Sequence, residues 1–330
     1  MKLLVTGGTG FLGAHLAHRL QALGHEVTAI GRNQAKGAAL AARGIRFVAA
    51  DLADAAAIKA ACQGQEAVFH AGALSAPWGA PAAFYAANVL GTRHIVDGCL
   101  QHGVSRLLHL STPSIYNDYR EHLQVREDAP LPARAVNEYA RTKRLAESEV
   151  QRGFAAGLPV VTIRPRAIFG LGDQALLPRL IEANRRGRVP LINGGRALID
   201  LSYVDNVVDA LLLGLTAPER CLGRAYNITN GEPMALHLLL TRLFERLGEP
   251  LRTINLPWRV AWGIATALEA VCRLLPGQPE PPLTRFAVGS IGLSQTLDIA
   301  AARAELGYAP RISVMEGIER FAQSYRGVRP

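Results

Sequence analysis

Lysine is scarce in this chain of 330 residues: it stands at positions 2, 36, 59 and 143 only, so arginine carries nearly all of the net charge of +9. The arginines are scattered from Arg19 to Arg329, with no run of five and no interleaved aromatics. That pattern excludes a nucleic-acid groove and suits a basic background for an anionic small molecule. Cysteine is equally sparse. Cys62, Cys99, Cys221 and Cys272 form no C-x-x-C pair, and the nine histidines form no H-E-x-x-H, so neither a disulfide framework nor a metal site is expected. A reducing cytoplasm is the default compartment. Long apolar runs are missing too. The opening MKLLVTGGTGFLG enters a glycine loop without the apolar core of a signal peptide. The uncharged stretch Ala67 to Thr92 is broken by Gly72, Pro77, Gly79 and Pro81, so no membrane span is expected there.

What is present is the composition of a folded protein, 49% apolar and 19% charged. Short aliphatic runs at Leu3 to Thr6, Val27 to Ile30, Ile45 to Ala49, Ala67 to His70, Arg106 to Leu110 and Val160 to Ile163 read as strands separated by helices. Leu12, Leu16, Leu20 and Leu23 mark one such helix, ended by Gly24. This alternation predicts an α/β fold built on a doubly wound parallel sheet. After about residue 165 the pattern loosens. The segment Leu198 to Val204, the helix after it and Ala225 to Ile228 are expected to return to the sheet. The predicted organisation is therefore a Rossmann-type doubly wound domain of residues 1–165 with 198–228, and a smaller C-terminal lobe of residues 166–197 and 229–330.

Directly after the first strand, Thr6-Gly7-Gly8-Thr9-Gly10-Phe11-Leu12-Gly13 places glycines at 7, 10 and 13 and then opens a helix. Side chains there would block a tight turn, the approach of a pyrophosphate, or helix–sheet packing, and the helix start supplies amides for an anion. The second strand ends in Gly31-Arg32-Asn33, with no carboxylate to hold a ribose 2′-hydroxyl and a guanidinium suited to a 2′-phosphate. NADP(H) is the expected cofactor, with NAD(H) as second choice.

Tyr139-Ala140-Arg141-Thr142-Lys143 lies at the start of a helix that Asn137 can cap, so Tyr139 and Lys143 share one face. A phenol titrates near pH 10, and Lys143 is expected to make Tyr139 acidic enough for proton exchange near neutrality. The fifth strand delivers Ser111-Thr112-Pro113-Ser114 beside this pair, offering a hydroxyl to a substrate oxygen.

These motifs resemble the extended short-chain dehydrogenase/reductase family along nearly the whole chain. The likeness includes Asp51-Leu52, His70-Ala71-Gly72-Ala73, Asn88, Arg164-Pro165, Ile168-Phe169-Gly170, Tyr203-Val204-Asp205-Asn206 and the closing Leu306-Gly307-Tyr308-Ala309-Pro310. The resemblance implies a catalytic set of Thr112, Tyr139 and Lys143. Counting back from Ile115-Tyr116 by the family's spacing favours Thr112, with Ser111 and Ser114 behind it. It also implies a cofactor site of Gly7, Gly10, Phe11, Leu12, Gly13, Arg32, Asp51, Leu52, Ala71, Gly72, Asn88, Lys143, Pro165 and Ile168. Relatives dimerise through a helix bundle that would include the Tyr139 helix, so a homodimer is expected.

Within that family, dehydratases carry Asp-Glu after the catalytic Thr, whereas here Pro113-Ser114 follow. Sugar-nucleotide enzymes place an arginine where Ile199 stands, and Arg196 is out of register. A sugar-nucleotide epimerase using NAD is therefore the second reading. The Ser-Thr-Pro-Ser run and Pro282-Leu283-Thr284-Arg285-Phe286 are similar to the 3β-hydroxysteroid dehydrogenase branch and to bacterial 2-alkyl-3-oxoalkanoate reductases. This implies NADPH-dependent reduction of a hydrophobic β-keto acid or sterol-like compound, with Trp78 as a candidate pocket wall. Trp258, Trp262, Ile264, Leu268, Val271 and Leu275 are expected to form one apolar stripe packed on the small lobe; its alternative use is a lid that touches a membrane surface. Glu269 interrupts the stretch, so it does not span.

Overall fold

The computed structural model describes residues 1–173 and 176–327. Seven strands build the main sheet: β1 (Lys2–Thr6), β2 (Glu26–Gly31), β3 (Arg46–Ala49), β4 (Ala67–His70), β5 (Arg106–Leu110), β6 (Val160–Pro165) and β7 (Ala225–Ile228). All pairs are parallel, in the order β7-β6-β5-β4-β1-β2-β3. The order reverses direction between β1 and β4, which opens a crevice at their carboxyl ends. Side chains alternate between two cores. Leu3, Val5, Phe69, Leu108 and Val161 enter one, and Leu4, Val68, Leu107 and Val160 enter the other. Because both faces are covered, the strands read as continuous apolar runs.

Five helices matter for the site: α1 (Phe11–Ala22), α2 (Gly91–Gln101), α3 (Glu138–Ala155), α4 (Val204–Leu215) and α5 (Trp258–Leu274). Leu12, Leu16 and Leu20 of α1 are buried against the sheet, and Gly24 at φ 83° turns the chain out of the helix. Each such leucine contributes about 2 kcal/mol by leaving water.

Two expectations need correction. Ala225–Ile228 does join the main sheet, but the segment 198–204 does not. It splits into Leu198–Ile199, part of a separate four-stranded sheet, and Ser202–Tyr203, which pairs with Ile168–Phe169. The break falls at buried Asp200, whose Oδ2 accepts from the Leu297 amide at 2.7 Å and so ties the chain to the small lobe instead. The stripe on α5 also divides. Trp258 and Trp262 pack inward with Ala261 and Ala265, while Ile264, Val271 and Leu275 are exposed.

Candidate active site

The glycine loop closes the crevice from one side. Gly7 is left-handed (φ 68°), and a Cβ there would lie 2.8 Å from Gly72 Cα, so the loops after β1 and β4 touch backbone to backbone. A Cβ on Gly13 would overlap the Gly7 carbonyl. Gly10 donates to that carbonyl at 2.8 Å and caps α1 without a side-chain partner, and no acid stands in the first turn. The helix start is thus a set of amides suited to an anion. Phe11 stands edge-on to His15, with ring centroids 5.3 Å apart. Thr6 Oγ1 accepts from the Gly72 amide at 3.0 Å and bonds His70 Nδ1 at 2.8 Å.

At the end of β2, Arg32 lies 3.6 Å from Asp51, and both are exposed, so the pair itself adds little stability. Leu52 packs against Gly72 and Gly91. The cradle that excludes Cβ atoms, the uncapped helix start and the Arg32 guanidinium fit a dinucleotide.

The reactive groups converge from β5, α3 and the loop after β4. Asn137 Oδ1 accepts from the Ala140 amide at 2.8 Å and starts α3. The Tyr139 phenol lies beside the Ser75 and Thr112 hydroxyls. Thr112 Oγ1 donates to Ser114 Oγ at 3.1 Å. Ser111 Oγ is buried with no partner. Lys143 is buried, and its Nζ donates to the Leu110 carbonyl at 2.6 Å and lies 3.5 Å from His109 Nε2. Burial lowers the Lys143 ammonium to about 8, against the pull of Glu147. Glu147 in turn holds buried Arg164 in a fork, at 2.9 and 2.6 Å.

The expected acidification of Tyr139 by Lys143 is not what this arrangement produces. Burial pushes the phenol up, and the Ser75 and Thr112 hydroxyls only partly offset that. The ammonium is directed at the Leu110 carbonyl instead.

Asn88 is fully engaged: its amide bonds both polar groups of Leu74, at 2.7 and 3.1 Å, and Thr142 at 3.0 Å, bracing the Ser75 loop against α3. Ala71 precedes Gly72 at the crevice, half-buried. Pro165 ends β6 buried, and Ile168 follows beyond Ala167, which turns the chain at φ 45°. Trp78 lines a cavity of about 1280 Å³ with Phe84, Tyr119, Asn137, Glu269 and Phe286; its walls do not include Thr112, Tyr139 or Lys143. Ser75 and His109 escaped the sequence reading. The only hint of Ser75 was its place just beyond Gly72; His109 carried none, sitting mid-strand among leucines. Among the described residues no cluster of three His, Cys, Asp or Glu side chains could hold a metal.

The chain is 36% identical to the 2-alkyl-3-oxoalkanoate reductase of Stenotrophomonas maltophilia (strain K279a), over 98% of this chain and 99% of that protein. It is 32% identical to 3beta-hydroxysteroid-dehydrogenase/decarboxylase isoform 1 of Arabidopsis thaliana, over 98% of this chain and 79% of that one. In fold it is similar to the UDP-glucose 4-epimerase of Thermotoga maritima, with a TM-score of 0.80, 21% identity and 99% of each chain covered. The model of the NAD dependent epimerase/dehydratase family matches residues 3–229. The chain belongs to that family and is an NAD(P)-dependent oxidoreductase of its extended short-chain dehydrogenase/reductase branch.

Proposed function

We propose that the chain is an NADPH-dependent reductase that interconverts a keto and a hydroxyl group on a hydrophobic β-keto acid or sterol-like substrate. The observation that carries this reading is the Tyr139 phenol held between Ser75 and Thr112, one helical turn from the Lys143 ammonium. A bound nicotinamide supplies the hydride. Tyr139 is the general acid: its raised pKa keeps the phenol protonated at neutral pH, which suits delivery of a proton to a carbonyl oxygen as negative charge develops there. Thr112 donates to the same oxygen and orients it. Lys143, its Nζ held at the Leu110 carbonyl one helical turn from the phenol, is placed to anchor the cofactor ribose.

In this proposal residues 1–165 with 204–228 hold the cofactor, Arg32 takes a 2′-phosphate, and the rest of the chain forms the substrate lobe. Homodimerisation and cytoplasmic residence belong to the same proposal. The named activities of the reductase and steroid relatives support a hydrophobic substrate. Ile199 is buried, so it leaves the sugar-nucleotide reading without its diphosphate clamp.

The test is purified protein with NADPH and a 2-alkyl-3-keto acid or a 3-ketosteroid, following loss of reduced-nicotinamide absorbance. Turnover supports the proposal. Protein that carries tightly bound NAD(H) and interconverts UDP-hexose epimers, without oxidising added NADPH, would replace it with the epimerase reading.

A further inference from the structure

The outward side of α5 carries an unusual pair of adjoining stripes. Val260, Ile264, Ala267, Val271 and Leu274 follow one another at alternating four- and three-residue steps, so they share a face. All five are exposed, Leu274 at 88% and Val271 at 55%. Beside them runs Arg259, Gly263, Thr266, Ala270 and Arg273, also exposed. Ten solvent-facing positions thus hold seven apolar residues, two arginines near the ends, one threonine and no acid. The threonine hydroxyl is satisfied within the helix, donating to the Trp262 carbonyl at 2.8 Å. The helix's one acid, Glu269, points inward, where Arg285 binds it at 2.8 Å and Arg273 reaches it at 3.4 Å.

We propose that this face of α5 docks on the surface of an anionic phospholipid bilayer, lying flat with Val260, Ile264, Val271 and Leu274 in the acyl boundary and Arg259 at headgroup level. Charge decides the occupant. A second copy of the chain would set one acid-free, arginine-bearing face against another, whereas anionic headgroups complement it. Area points the same way: the face is about 26 Å long and about 10 Å wide, far below the about 800 Å² per partner of a stable protein interface. No helix among the described residues is long and apolar enough to cross a membrane, so the contact is peripheral. The C-terminal end of α5 also reaches the loop after β4. Arg273 lies 5.1 Å over the Trp78 ring, and Trp78 Nε1 donates to the Gln278 carbonyl at 2.9 Å. Docking would therefore bring the Trp78 cavity next to the lipid.

The experiment is co-sedimentation of the full chain with phosphatidylcholine–phosphatidylglycerol vesicles and with pure phosphatidylcholine vesicles. Neither cofactor nor substrate is added, so the result is independent of the reductase reading. The wild type is expected to pellet with the anionic vesicles, less so at high salt, and about tenfold less with Ile264→Glu/Val271→Glu. Leu274→Glu provides a second variant at a position too exposed to unfold the chain, and circular dichroism checks both. The proposal is overturned if the wild type stays in the supernatant with both vesicle types, or if the glutamate variants pellet equally well. It is also overturned if sedimentation velocity finds a wild-type dimer that the double variant splits, without any vesicle binding.

Discussion

Lys143 Nζ lies 2.6 Å from the carbonyl oxygen of Leu110, the last residue of β5, and two residues further on the same chain places Thr112 against Tyr139. One strand end therefore positions both the cation and the hydroxyl partner of the phenol. The ammonium has a cost, because its strand neighbours are a carbonyl and the neutral ring of His109, whose pKa burial and the Lys143 charge push well down.

That cost yields a stability prediction opposite to the usual loss on mutating a buried residue. Lys143 titrates at about 8 when folded and at 10.5 as an ordinary lysine. Between these values the unfolded chain binds more protons, so the folded state gains stability as pH rises through this window and carries the full penalty below it. Lys143→Met should remove turnover yet raise stability by about 1–3 kcal/mol at neutral pH, with the gain fading near pH 10.5. Thermal midpoints at both pH values check this. A lower midpoint at neutral pH would mean that the Leu110 bond outweighs desolvation.

Thr112→Val keeps the shape of the side chain and removes the hydroxyl that faces the Tyr139 phenol. The turnover number should fall about 10²- to 10³-fold, while NADPH affinity measured by fluorescence titration stays unchanged. Ser75→Ala should lose about tenfold, since Thr112 still faces the phenol. Full activity in Thr112→Val would move the role to Ser114 or Ser111.

The sheet was legible because its strands are buried on both faces and appear as unbroken aliphatic runs between capped helices. The glycine loop and the Tyr139–Lys143 spacing were legible because each is a local constraint: a backbone that tolerates no Cβ, and two side chains one helical turn apart. Ser75 was not, since its position depends on Asn88 bracing a loop against Thr142, 54 residues away in sequence. The segment 198–204 looked like a sheet strand because periodicity reports burial and not which sheet receives it. The α5 stripe misled for a related reason. Hydrophobicity marked Ile264 and Val271 as core, but the tryptophans and alanines of the opposite face fill the contact with the lobe. Nor could sequence show that burial, and not the nearby ammonium, dominates the Tyr139 phenol.

Arg32 is expected to select the cofactor. It is exposed and loosely tied to Asp51, so it is available for a bidentate phosphate contact with little reorganisation. Arg32→Asp should shift the ratio of NADPH to NADH affinity at least about a hundredfold toward NADH, with melting temperature nearly unchanged. An unaltered ratio would exclude Arg32 from the phosphate site.

Glu147 joins the stability of the fold to the chemistry of the site. It forks onto Arg164, which is only 7% exposed and also donates to Tyr116, and it is the carboxylate that supports the Lys143 charge. Glu147→Gln strands a buried guanidinium and should cost about 3 kcal/mol by urea denaturation. Replacing Arg164 as well, in Glu147→Gln/Arg164→Met, should recover part of that loss, because a buried pair is weaker than the penalty for breaking it. The pH profile separates the two roles. Without Glu147 the Lys143 ammonium loses its opposing charge, so the alkaline limb of cofactor binding should move below about 8 in both variants, whether or not stability is restored. A limb that moves only in the less stable variant would assign the effect to folding rather than to charge.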